Sequence, residues 1–163
     1  MSELKKVRQL SKSESREIVK IAIEKNFLTK NEKIRQVGVY DVSDTSKIFI
    51  INSDPILLQI DGEIYPSLFN EIRSVLPKVV VDEGAIKHIL NGADVMAPGI
   101  VSFPSGVKQN DLVSIRTQNN KIIGIGIVME SFEEKLAMKK GKVIKTIHYV
   151  GDPIFRICSK LSK

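Results

Sequence analysis

The residues with which this chain could do covalent or metal chemistry are two histidines, one cysteine and a scatter of turn acids. His88 and His148 lie far apart in the sequence and Cys158 is alone, so a zinc site lacks ligands and no internal disulfide can form. Asp61, Asp94 and Asp111 fall in turn sequences and form no acid–base dyad. Gly124-Ile125-Gly126 is a fragment of a dinucleotide fingerprint, but Met129 stands at the third glycine position and no long helix opens there. There is no Walker A loop. The expectation is a chain with no catalytic residues, no metal and no cofactor.

Non-covalent chemistry is better represented. Around Gly92 the chain offers Lys87, which can neutralise an anion, and Asn91, which can read polar edges. Gly92 itself would let another backbone approach closely and leave neighbouring N–H groups free. A second cationic set, Lys12, Arg16 and Lys20, recurs at i, i+4, i+8 on one helix face. Such a stripe is more often a solvated surface than a contact for the ribosome or another RNA.

Positioning these residues needs the following elements. Val79 to Val81 reads as a short buried strand. Asp82 is a helix N-cap, and Ile86, Ile89 and Leu90 form one apolar helix face. Asn91-Gly92 ends that helix, with Gly92 as its left-handed residue. Ala93 to Met96 and a segment from Ile100 read as strands separated by Ala97-Pro98-Gly99. Further on, residues 112–117 and 121–129 make a hairpin, 133–138 a short helix, 143–150 a strand and 154–158 a last strand. In the hairpin, Ile123, Ile125, Ile127 and Met129 should share one face, with Gly124 and Gly126 opposite where something approaches closely.

Earlier in the chain, Leu4 to Leu10 reads as a strand and Ser11 to Glu14 as a capping box opening a helix to about Asn26. Strands are expected at 34–42, 47–51, 56–60 and 63–65, with turns at Asn52-Ser53-Asp54-Pro55 and Asp61-Gly62. Ser67 would cap a helix carrying Leu68, Phe69, Ile72, Val75 and Leu76, stopped by Pro77. The expected organisation is two domains, 1–76 and 77–163, joined without a flexible linker and so packed rigidly together.

Several of these segments carry a family likeness. Val81-Asp82-Glu83-Gly84-Ala85, then Asn91-Gly92-Ala93-Asp94-Val95-Met96 and Ala97-Pro98-Gly99-Ile100, resemble the opening of a PUA domain, a small RNA-binding pseudo-barrel. Gly141 to Asp152 resembles its end. With Tyr65-Pro66-Ser67-Leu68, Val75-Leu76-Pro77 and Ile147-His148-Tyr149, the chain resembles the malignant T-cell-amplified-sequence family and is similar to the N-terminal half of ligatin, a translation factor. The resemblance implies an α+β protein, an N-terminal α/β pre-PUA domain packed on a C-terminal PUA pseudo-β-barrel. It implies an RNA groove formed by Lys87, Asn91, Gly92, Ala93, Pro98 and Gly99, with Tyr149 and Arg156 opposite. It also implies a non-catalytic role in translation, binding the acceptor end of tRNA or the small ribosomal subunit during initiation or recycling. An initiation-factor-like partner would act in trans. The Ile- and Lys-rich composition suits an archaeal member.

Composition agrees with a globular RNA binder. Net charge is +6, with 42% hydrophobic and 27% charged residues. Residues 1–40 are net +5, residues 41–76 net −4 and residues 77–163 net +5. Basic blocks favour polyanions through counterion release. The N-terminus has no apolar core of signal-peptide length and no window reaches a membrane span, so a cytoplasmic protein without a membrane partner is expected. Two other readings stand beside the leading one: a ribosome-assembly factor binding rRNA, and a protein-interaction adaptor whose acidic 41–76 region docks a basic partner.

Overall fold

The computed structural model describes residues 6–162. Within them the chain divides into a unit that ends at Ile72 and resumes at Pro153, and a unit from Arg73 to Asp152.

The first unit starts with β1 (Arg8–Gln9) and α1 (Lys12–Glu24). Leu4 and Lys5 of the expected first strand lie outside the described residues. Ser11 and Glu14 form the capping box: Ser11 Oγ accepts the Glu14 N–H and Glu14 Oε1 accepts the Ser11 N–H. These bonds hold the exposed Glu14 carboxyl below its ordinary pKa. β2 (Val37–Asp41), β3 (Ser46–Ile51), β4 (Asp54–Ile60) and β5 (Glu63–Pro66) follow. With β1 they form an antiparallel sheet in the order β1-β2-β3-β4-β5. Asn52-Ser53 and Asp61-Gly62 have positive φ at both positions, the turn geometry that matches strand twist in tight hairpins. Ala22, Leu28, Val37, Val39, Phe49, Ile51, Leu57 and Ile64 form the core between α1 and one sheet face.

The helix expected after Ser67 is absent. A single 3-10 turn, Glu71–Ser74, stands there instead. Ser67 is buried, and its Oγ donates to Pro55 O and accepts the Phe69 N–H. Asn70 Oδ1 accepts the Ile72 N–H, and its Nδ2 reaches the carbonyls of Phe27 and Ile56. These side-chain bonds tie the segment to loops and strands, competing with a helical ladder.

The second unit contains β6 (Lys78–Val81), α2 (Glu83–Ile89), β7 (Val95–Met96), a 3-10 turn (Ala97–Gly99), β8 (Ile100–Ser102), β9 (Leu112–Arg116), β10 (Ile122–Val128), α3 (Phe132–Met138) and β11 (Lys142–Tyr149). Its six-stranded sheet runs β7-β11-β10-β9-β6-β8, with only β6 and β9 parallel among these pairs. Register shifts at Ile122/Gly124 and Ile125/Gly126 bend β10 and curl the sheet into a half-barrel. The bulges also break the expected alternation, since every residue from Ile123 to Gly126 is buried. The close approach at the glycines is real. A β-carbon on Gly124 would lie 3.0 Å from His148 O, and one on Gly126 would collide with Ile144. The α+β class expected from the sequence is the class observed.

The chain then returns to the first unit. Residues 154–158, expected to be a strand, belong to α4 (Pro153–Leu161). Pro153 occupies the first helical position, where its missing N–H costs nothing. Ile154, Ile157, Cys158 and Leu161 repeat at helical spacing and pack on Tyr40, Ile48, Ile50 and Leu58, the sheet face opposite α1. Burial on both faces is why Ile48-Phe49-Ile50-Ile51 reads as an unbroken apolar run. The second unit therefore closes at Asp152, whereas the expected second domain ran to residue 163.

Candidate nucleic-acid interface

The second unit carries a cleft of about 690 Å³ beside α2 and the Gly92 turn. Asp82 builds its upper end. Its Oδ1 accepts the Ala85 N–H as the N-cap, and its own N–H donates to Gly99 O at 2.9 Å. Gly99 sits there because a β-carbon would lie 3.0 Å from Ala85 Cβ. Helix start and Pro98-Gly99 turn can therefore touch only with small residues on both sides. At the lower end Ala97 N–H donates to Gly141 O, and Thr146 Oγ1 donates to Ala93 O. β11 and the Gly141 turn that leads into it thus clamp the two ends of the 93–97 segment.

The walls are mostly apolar: Ala85, Ile89, Ala93, Val95, Met96 and Pro98. Met96 is 44% exposed, an open thioether surface on which a flat ring could lie. Polar groups converge from Asp82, His88, Asp94 and Lys142. Asp94 Oδ1 accepts the Thr146 N–H at 3.0 Å, while Oδ2 stands 3.7 Å from Lys142 Nζ. The cleft therefore offers two carboxylate acceptors, one cation and an imidazole. That acceptor-rich set suits a heterocycle with amino hydrogens better than a bare phosphate.

Gly92 has φ +92°, the left-handed conformation expected of it. It lies two residues beyond the C-cap, Leu90. The expectation that this turn leaves N–H groups free for phosphate fails. Asn91 N–H and Ala93 N–H both donate to His88 O, and Gly92 N–H donates to Ile89 O. These bonds satisfy the carbonyls that end α2, so the same geometry that closes the helix consumes the donors.

The structure brings Gly92, Ala93, Pro98 and Gly99 into one cleft. Tyr149 stands at its side, with Oη 3.3 Å from the place of a β-carbon on Gly92. Lys87 and Asn91 are exposed and do not line the cleft. Asn91 lies past the end of α2, so the helical i, i+4 pairing with Lys87 does not form. Arg156 is on α4 of the first unit rather than on a strand beside Tyr149. Lys12 and Arg16 line a groove of the first unit, and Lys20 does not. Sequence reasoning missed His88, Met96, Asp94 and Lys142. Lys142 and Asp94 meet only through the pairing of β7 with β11, so their spacing carried no signal.

A curled half-barrel with a cleft between its first helix and its closing strand is the architecture of a PUA domain, and a family model for the PUA domain matches residues 77–150. An uncharacterized protein of Methanocaldococcus jannaschii is 38% identical over 94% of this chain and 97% of its own length. Translation machinery-associated protein 20 of Saccharomyces cerevisiae is 30% identical over 76% of this chain and 73% of its own. The crystal structure of a hypothetical protein from Pyrococcus horikoshii superposes with a TM-score of 0.73 at 30% identity, covering 93% of this chain and 99% of that one. The chain belongs to the family of translation machinery-associated protein 20 and malignant T-cell-amplified sequence 1. Its relatives include proteins named for translation, translation machinery-associated protein 20 and eukaryotic translation initiation factor 2D, and, over 47% of the chain, a probable tRNA pseudouridine synthase B; the PUA domain is an RNA-binding domain. Among the described residues no helix is long and apolar enough to cross a membrane.

Proposed function

We propose that this protein is a non-catalytic RNA-binding factor of translation that holds the single-stranded acceptor end of tRNA in the Gly92 cleft while engaged with the small ribosomal subunit. The observation that carries the reading is the cleft itself. It has apolar walls, an exposed Met96 and the acceptors Asp82 and Asp94, in a volume able to take unstacked bases. Single-stranded ends are recognised in this way, by splaying bases onto side chains and bonding their edges. The translation names of two relatives support the setting.

In this reading Gly92, Ala93, Pro98 and Gly99 shape the cleft, and Tyr149 borders it. Lys142 neutralises a phosphate at its lower rim, and Lys87 and Asn91 act from outside. The basic face of α1 reaches the ribosome, and an initiation-factor-like protein would join in trans.

The test is binding of a tRNA acceptor minihelix with its 3′ end intact or trimmed back to the duplex. The intact form should bind at least about tenfold more tightly if stacking and edge contacts of the end are made in the cleft. Equal binding of both forms would reject the acceptor-end assignment in favour of rRNA binding during ribosome assembly.

A further inference from the structure

We propose that the groove between α1 and residues 34–37 is a second RNA site, which takes the sugar-phosphate backbone of double-helical RNA without reading its sequence. The groove measures about 490 Å³ and lies wholly within the first unit. Lys12, Ser15, Arg16 and Val19 enter it from one face of α1. Arg35 and Gln36 enter from the connection into β2, and Gln9 from β1. Lys12 and Arg16 are one helical turn apart, about 6 Å along the axis, comparable to the separation of successive phosphates.

The main chain at Arg35 is pinned, and its exposed side chain projects from that fixed point. Asn52 Oδ1 accepts the N–H of Arg35 at 2.7 Å and of Gln36 at 3.2 Å. Asn52 Nδ2 donates to Lys33 O at 2.6 Å, and its own N–H donates to Gln36 O at 3.1 Å. On the near side, Leu10 N–H donates to Val37 O. The connection is thus fixed opposite α1, and the two cationic walls keep their separation.

The charge pattern selects the ligand. Among the described residues no carboxylate lines this groove, and no ion pair involves Lys12, Arg16 or Arg35. The groove therefore presents positive charge that no neighbouring carboxylate offsets. Ribose hydroxyls, both donors and acceptors, can meet the amides of Gln9 and Gln36 and the hydroxyl of Ser15 while phosphates meet the cations; an acidic peptide is the competitor that the experiment must exclude. The floor is aliphatic, formed by Leu10, Val19, Ile34 and Val37, and the lining contains no aromatic ring. Single-strand binding surfaces stack bases on aromatic rings. A duplex, with its bases already stacked, requires only its backbone to be met. This site is independent of what the Gly92 cleft holds.

The experiment uses the full chain and a blunt-ended RNA duplex with no single-stranded end. Arg16→Gln with Arg35→Gln should weaken binding at low salt by about tenfold or more and make the salt dependence shallower by about two units. Lys20→Gln removes the same charge from the same helix outside the groove, and should cost less than about twofold. Arg35→Lys keeps the charge and should retain most of the affinity, which separates loss of binding from loss of fold. If Lys20→Gln costs as much as Arg16→Gln, diffuse charge explains the binding and the proposal fails. It fails equally if the double variant binds like the parent, or if polyglutamate of matched charge competes as well as the duplex. Loss of the preference for an intact minihelix end would leave this result untouched, so the two readings fail separately.

Discussion

A β-carbon placed on Gly92 would stand 3.3 Å from the hydroxyl of Tyr149. The helix-ending turn and the closing strand therefore lie close together at the edge of the cleft, and a side chain at position 92 would crowd Tyr149. Gly92→Asn should melt within a few degrees of the parent, because a left-handed position costs a side chain about 1 kcal/mol. It should bind an intact acceptor minihelix several-fold more weakly. Tyr149→Phe removes the crowded oxygen. If the double variant regains parental affinity, the loss acts through displacement of Tyr149. If it does not, the side chain at position 92 blocks the RNA directly.

Lys142 and Lys87 should contribute unequally. Lys142 lines the cleft and faces Asp94, while Lys87 is exposed outside it. In salt titrations of minihelix binding, Lys142→Ala should reduce the slope by about one unit and Lys87→Ala by less. Equal effects would shift the phosphate path onto the outer face of α2.

The closing strand depends on one buried pair. His148 is fully buried, and its Nδ1 lies 2.8 Å from Asp152 Oδ2, which also accepts the Tyr149 N–H at 3.0 Å. Asp152→Ala removes both contacts and should destabilise the protein by about 2–4 kcal/mol in urea denaturation. Tyr149 should loosen with it, weakening RNA binding even under conditions where the variant is folded. An unchanged midpoint would show the pair to be energetically neutral.

Arg116 is 4% exposed, and burial lowers the pKa of its guanidinium. Nε donates to Ser114 Oγ, one terminal nitrogen to Asn120 Oδ1, and the other to the carbonyls of Arg73 and Ser74. It ties the segment entering β6 to β9. Arg116→Met retains much of the volume but leaves those acceptors with fewer donors, and should cost about 2–4 kcal/mol of stability. Amide exchange at residues 73–77 should rise more than in α2; uniform change would argue against a local tie.

Incubation with uridine-containing tRNA should yield no pseudouridine, since neither sequence nor cleft offers a recognised catalytic constellation. Product rising in proportion to protein would overturn the non-catalytic reading.

The sequence by itself determined the pieces whose causes lie within a few residues. Ser11 and Glu14 predicted the capping box, Asp61-Gly62 the tight hairpin and Asp82 the cap of α2, and each is present. The left-handed Gly92 was legible for the same reason, because helix termination is a local event. The motif from Val81 to Ile100 also carried the PUA resemblance, so the fold class could be read without coordinates.

Tertiary structure decided what depends on partners distant in the chain. Ile154, Ile157, Cys158 and Leu161 fit a helical face, yet a short apolar run can also be a strand, and only packing on the open face of the first sheet selects the helix. Ser67 and Asn70 looked compatible with a helix until carbonyls of Phe27, Pro55 and Ile56 claimed their side chains. Lys142 reaches Asp94 because β7 pairs with β11, and Arg35 faces Arg16 because Asn52 pins its backbone. Such contacts have no fixed spacing in sequence. They exist because burying apolar surface and satisfying backbone hydrogen bonds bring remote segments together, and the charges are carried along with them.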